Sequence, residues 1–218
     1  MMVRKLIHFT IVLWIAAVSA CAQRYEITPL AGAMFGGSLK LEQLGVSPNR
    51  HADFEDSASF GIAGGIRFYG EECDDCSLIE FRWMRQPTHL GFKQDPLAPV
   101  PVGQAFHPRV TVDRFLGDFT AEMLVNEVRN IRPFITVTLG AARMDAPASS
   151  ATRFVWGIGT GMKVFPQPHW GFRIGVEYLP MVLHTELQSI VCNRGCIVAL
   201  NGGMTSQFQV TIGPAFRF

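Results

Sequence analysis

Two cysteine pairs stand close together in the chain, Cys73-Asp74-Asp75-Cys76 and Cys192-Asn193-Arg194-Gly195-Cys196, with Cys21 apart from both. Thiols so spaced can form local disulfides, bind zinc or act as a redox couple. Zinc needs four ligands converging on one point. A reactive Cys-x-x-Cys needs a helix N-terminus or a nearby cation to lower the thiol pKa, and no helical periodicity surrounds Cys73 or Cys76. The run Gly157-Ile158-Gly159-Thr160-Gly161, followed by Lys163, invites comparison with a phosphate-binding loop. Its spacing is wrong for a dinucleotide fingerprint and no helix follows it. Histidines are scattered (His8, His51, His89, His107, His169, His184), and only His184-Thr185-Glu186 sets imidazole, hydroxyl and carboxylate side by side. The largest set is ionisable side chains set among apolar ones: Glu26, Arg67, Glu80, Arg82, Asp118, Glu122, Arg153, Lys163, Arg173, Glu177 and Arg217.

These charges take their meaning from the segments that carry them. From Tyr25 to Phe35 the odd positions Tyr25, Ile27, Pro29, Ala31, Ala33 and Phe35 are apolar. Phe60, Ile62, Ile66 and Phe68 then oppose Gly61, Gly65 and Arg67, and Ile79, Phe81 and Trp83 oppose Glu80, Arg82 and Met84. Phe115, Phe119, Ala121 and Met123 face away from Leu116, Asp118, Thr120 and Glu122. The pattern continues through Pro133–Ala142, Arg153–Val164, Trp170–Tyr178 and Gln207–Phe218. Period-two alternation is the strand signature, and it predicts eight strands. Runs of about ten residues or more exceed the usual five or six of globular sheets. One face is bulky and apolar; the other collects Gly, Thr and charge. A soluble barrel or sandwich would turn its apolar face inward, whereas a narrow lumen needs the small and polar face inside.

The N-terminus reads as an export leader. Arg4 and Lys5 precede an apolar stretch from Leu6 to Ala20, short for a membrane helix of about 20 residues. Ala20-Cys21-Ala22 fits ordinary signal-peptidase cleavage before Gln23, and Val18-Ser19-Ala20-Cys21 resembles a lipobox. Strand-like sequence at Tyr25 favours the first reading, since a lipoprotein usually has a tether there. Residues 1–22 are therefore expected to be removed, and 23–218 to form one domain. Beyond Ala22 no segment approaches a membrane helix, so a membrane form must be a closed barrel, which satisfies its own backbone polar groups. The net charge of +1 and the lack of a basic patch argue against nucleic acid. A chain with 48% hydrophobic and 17% charged residues needs a large core or a membrane.

With a periplasmic N-terminus, the links at about Gly36–Ala58, Pro87–Arg109, Asp145–Ala151 and Leu183–Gly203 fall outside the cell. Those at about Glu71–Ser77, Asn126–Arg132 and Pro166–His169 become periplasmic turns. Long outer and short inner links are the outer-membrane pattern; the third outer link is the short exception. Pro96, Pro99, Pro101 and Pro108 argue against a strand within the second outer link. This topology places the two cysteine pairs on opposite sides of the membrane, which disfavours zinc. Two local disulfides are expected in an oxidising compartment.

The final strand ends on aromatic Phe218, with Phe208, Val210, Ile212 and Phe216 on the same face and Pro214 interrupting it. Together with the alternation and the leader, it resembles the small outer-membrane β-barrel family of the OmpA transmembrane domain, OmpX and OmpW. Arg132-Pro133-Phe134 opening a strand and the glycines before Lys163 resemble such barrels too. The resemblance spans about Gln23 to Phe218. It implies an all-β, eight-stranded antiparallel up-and-down transmembrane barrel in the outer membrane, whose C-terminal strand is recognised by the barrel-assembly machinery. Outer-membrane lipid is the other expected partner; no cofactor, metal or nucleic acid is expected, and an extracellular ligand is left unspecified. The inward charges are expected to pair into a plug, because unpaired buried charge is costly and eight strands enclose a lumen that side chains can fill. A structural or surface-interaction role follows. A narrow channel for small hydrophobic or ionic solutes, as in OmpW-like relatives, is the alternative. A lipid-modifying enzyme is the third reading. Similarly sized lipid A deacylases use His-x-Ser with a carboxylate, and His184-Thr185-Glu186 departs from that pattern at its middle position.

Overall fold

The computed structural model describes residues 25–42, 50–68, 75–93, 109–123, 130–146, 149–183, 189–192, 196–200 and 203–218. Its strands are β1 (Tyr25–Phe35), β2 (Ser38–Glu42), β3 (Arg50–Phe54), β4 (Ser57–Phe68), β5 (Asp75–Lys93) and β6 (Arg109–Met123). They continue as β7 (Ile131–Ala146), β8 (Ser149–Gln167), β9 (Trp170–Leu183), β10 (Ser189–Cys192), β11 (Cys196–Leu200) and β12 (Gly203–Arg217). The long strands pair in the order β1-β4-β5-β6-β7-β8-β9-β12, each antiparallel to its neighbour, and the β1–β12 ladder closes the ring. Reciprocal bonds between Tyr25 and Phe218, at 3.2 and 3.0 Å, secure that seam at the terminal end of the ring, where the first and last described residues meet. This is the eight-stranded up-and-down barrel that the alternation predicts. No helix among the described residues is long and apolar enough to cross a membrane.

Polarity is inverted relative to a soluble barrel. Phe81, Leu139, Ile158, Ile212 and Phe208 point outward and are at least half exposed. Glu80, Arg82, Asp118, Lys163 and Arg173 point inward and are almost fully buried. A wide apolar exterior around an ionised interior is the arrangement of a barrel whose surrounding solvent is lipid. Each of the eight ring strands pairs with a neighbour on either side, the closure that a span of the hydrocarbon layer requires.

The strands run further than the alternation suggests. β5 continues to Lys93, past Pro87, which pairs with Thr111 of β6. On its other side the ladder lapses between Phe60↔Arg85 and Phe54↔Leu90, so a residue without an N–H fits there. The first and last outer links also contain strand: β2 pairs with β3, β3 with the end of β5, and β10–β11 adds onto β2. Gly36 and Gly37 make the bend from β1 into β2 with φ of 75° and 104°, a region that costs glycine little. A Cβ on Gly37 would also come within 2.9 Å of Phe54 and Gln207. At the third outer link the β7–β8 ladder extends to Ala146 opposite Ser149. The leader, the turn region 69–74 and Pro96, Pro99, Pro101 and Pro108 lie outside the described residues.

Candidate functional site: the ion-paired lumen

Alternation sends every second side chain of the eight ring strands into a narrow space, so distant residues in the chain become neighbours. At the terminal end, Glu26 of β1 and Glu122 of β6 form a two-carboxylate hub. Lys163 of β8 bonds both carboxylates, its Nζ lying 2.7 Å from Glu122. Arg67 reaches Glu26 at 3.4 Å and Glu122 at 3.2 Å, and Arg217 reaches them at 3.1 and 3.4 Å. Arg132 adds a contact to Glu122 at 3.7 Å. Each carboxylate therefore faces several cations, which offsets the cost of burying it.

Deeper in the ring the bonds cross the full width of the barrel. β5 and β9 stand opposite one another. Arg173 of β9 reaches Glu80 of β5 at 2.6 Å, and Arg82 of β5 reaches Glu177 of β9 at 2.7 Å. Arg82 also holds Asp118 at 2.9 Å. Thr120 donates to Glu80, and Thr138 donates to Asp118 at 2.7 Å and also bonds Glu177. Arg153 lies in the same interior and donates to the Thr152 carbonyl. The structure thus places all eleven alternating charges inside the ring, most of them joined by these ion pairs.

Several lumen residues are not signalled by the alternation of charge. Phe134 is buried on the inner face, where the Arg173 guanidinium stacks over its ring at 4.8 Å and Lys163 lies 5.8 Å away. Arg217 lies 3.2 Å over Phe165. Glycines make room: a Cβ on Gly161 would meet Phe134 at 2.5 Å and the Ile174 carbonyl at 2.2 Å. The Gly157–Gly161 run is a packing device for a crowded interior. Arg114 escapes the alternation because it sits just before the periodic stretch that begins at Phe115. It is 1% exposed and donates to Gln86 at 2.8 Å and to Gln207 across the ring.

The far half of the interior holds a packed apolar cluster beside the buried Gln86, Thr88, Arg153 and Thr205, which the polar-inside pattern does not anticipate. Met34, Phe54, Leu90, Val110, Val112 and Met144 form part of one buried cluster there, with Met181 and Leu179. Outside, Trp156 is exposed on the lipid-side face, and Tyr178 bonds Ser206 at 2.8 Å and packs on Phe208 at 5.1 Å. Phe208, Val210, Ile212, Phe216 and Phe218 all point outward along β12. The backbone sets Cys192 directly opposite Cys196 across β10–β11, and Cys76 opposite Glu122. Cys73 lies outside the described residues, as do His184-Thr185-Glu186, His8 and His107. His89 is exposed beside Glu55 at 4.0 Å. Among the described residues no group of His, Cys, Asp and Glu is arranged to hold a metal.

No family model and no curated protein matches this chain. Solved structures match its fold. Neisserial surface protein A aligns with a TM-score of 0.52 at 13% identity, over 89% of this chain and 96% of its own. The outer membrane protein AlkL, solved in lipid bilayers, aligns with a TM-score of 0.50 at 12% identity, over 90% and 91%. At such identities the likeness concerns the fold alone.

Proposed function

We propose that this chain is an outer-membrane barrel whose lumen is closed by its own ion pairs, and that it serves as a structural or surface-interaction protein through its outer links. The observation that carries this reading is the crossing of the ring by Arg173–Glu80 and Arg82–Glu177 between opposite strands. Side chains bonded across the full width leave no axial path for a hydrated ion. In this reading residues 1–22 are the cleaved leader, and the outward row ending at Phe218 engages the assembly machinery. The apolar exterior contacts outer-membrane lipid.

Planar-bilayer recording tests the closure. The refolded protein is expected to pass no steady current, whereas the double variant Arg82→Ala/Arg173→Ala, which removes both crossings, should conduct. Steady conductance by the unaltered protein would sink the closed-lumen reading. It would favour the alternative, a narrow channel for small hydrophobic or ionic solutes. A lipid-modifying enzyme, the third reading, would instead change the lipid A of cells that express the chain.

A further inference from the structure

The seam that closes the ring is not bonded evenly. Tyr25 and Phe218 exchange both of their backbone bonds across it. In an antiparallel ladder such doubly bonded pairs recur at every second residue. The sites that follow are Ile27↔Phe216, then Pro29 opposite Pro214, then Ala31↔Ile212. Proline has no N–H to donate, and here two prolines occupy one pair, so both of its bonds are absent. The ladder lapses accordingly: it holds at Ile27↔Phe216 and resumes at Ala31↔Ile212, about 14 Å further along the strand. Pro87, Pro133 and Pro180 each pair instead with a residue that keeps its N–H, namely Thr111, Met162 and Ser206.

The surroundings of the gap do not replace the missing bonds. A Cβ on Gly213 would stand 1.9 Å from the Pro29 carbonyl oxygen, so a Cα–H is what faces that acceptor, a contact weaker than an amide bond. On the lumen side Thr28 is fully buried, and among the described residues its hydroxyl has no hydrogen-bond partner. Outside, Ile27, Ile212 and Phe216 are exposed on the lipid-side face. On the terminal side of the gap, Tyr25–Ile27 and Phe216–Phe218 are held by their own ladder and by Arg217 donating to Glu26 at 3.1 Å. On the far side Ala31–Phe35 pairs without interruption with Phe208–Ile212. The gap thus separates a short clasp from the rest of the seam. A closed wall in lipid depends on its backbone bonds, and local opening starts where they are fewest.

We propose that the barrel opens laterally at the β1–β12 seam, with Tyr25–Ile27 and Phe216–Phe218 as a clasp that releases while the neighbouring ladders stay bonded. Release parts Glu26 from Arg217 and joins the terminal end of the lumen to the surrounding lipid. The crossings Arg173–Glu80 and Arg82–Glu177 involve only β5 and β9. The device therefore belongs to the wall rather than the plug, and it stands whether or not the lumen conducts.

Backbone amide hydrogen exchange, read residue by residue by NMR on the refolded protein in lipid nanodiscs, tests this. Alternation within each strand supplies the control. Ile27 and Phe216 direct their N–H groups across the seam, whereas Arg217 bonds the His169 carbonyl on its other side and Glu26 turns toward β4. Ile27 and Phe216 are expected to exchange at least tenfold faster than Glu26 and Arg217 at the same level. Pro29→Val/Pro214→Val returns both donors and should slow Ile27 and Phe216 at least tenfold, leaving Glu26 and Arg217 unchanged. Equal or slower exchange at Ile27 and Phe216 in the unaltered protein would overturn the proposal, because the end of the barrel would then fray as a whole or not at all. Seam amides that stay as fast in the double variant, once its gel mobility before and after boiling shows it folded, would overturn it too. The four-amide comparison uses the unaltered chain, so it decides even if the variant fails to fold.

Discussion

Replacing Glu122 with Gln keeps the side chain's size and removes one of the two carboxylates that hold the terminal end of the lumen together. Glu122 is almost fully buried and faces Lys163 at 2.7 Å, Arg67 at 3.2 Å and Arg217 at 3.4 Å. At an effective dielectric constant of about 20 the Lys163 contact alone is a gross attraction of about 6 kcal/mol, offset by the desolvation of both groups. Removing one partner of a buried pair typically costs about 3–5 kcal/mol, because the other charge is left uncompensated. Here Glu26 still serves the same cations, and Arg67 and Arg132 are partly wet, so the lower end, about 3 kcal/mol, is expected. Urea unfolding in lipid vesicles, followed by the fluorescence of Trp83, Trp156 and Trp170, measures it. Adding Lys163→Met removes the stranded cation and should recover at least half of the loss as a positive coupling in the double-mutant cycle. A Glu122→Gln variant within about 0.5 kcal/mol of the parent would refute the reasoning. So would a double variant whose losses simply add.

Leu139→Arg places a charge on the outward face, at a position 56% exposed. In lipid it should cost about 2–4 kcal/mol, whereas a water-facing site would tolerate it within about 0.5 kcal/mol, and the same urea titration separates the two. Thiol labelling of the denatured but unreduced mature chain should find no free cysteine among Cys73, Cys76, Cys192 and Cys196, and reduction should lower stability by roughly 2 kcal/mol or less per pair. Phe218→Ala should reduce the fraction of the protein assembled in outer membranes while leaving refolding of the purified chain intact. Equal assembly would remove the recognition role assigned to Phe208, Val210, Ile212, Phe216 and Phe218.

The ring was legible wherever the period-two pattern was clean. Phe115 to Met123 and Arg153 to Val164 reveal their faces residue by residue, because lipid demands apolar groups on one side and a narrow lumen demands small or paired groups on the other. Legibility failed where both faces turn apolar or a proline intervenes. Val110, Val112 and Met144 point inward although apolar, so the far ends of β5, β6 and β7 lose their contrast and read as loop. Pro87 strengthens that misreading, since the ladder gap that accommodates it is a tertiary feature. Arg114 falls in the same blurred stretch. The β2–β3 and β10–β11 strands are short, and their pairing depends on neighbours far away in the chain. The identity of ion partners was not legible either: alternation places Arg82 and Glu177 inside, but only ring closure sets β5 opposite β9.

Gel migration of the mature chain after refolding into lipid vesicles, with and without boiling, tests the membrane barrel most directly. A compact, fast-migrating form that shifts to the unfolded position only on boiling is predicted, because the closed ladder and its ion-paired interior resist detergent as one unit. A chain that stays soluble in water without lipid or detergent and migrates identically before and after boiling would contradict it.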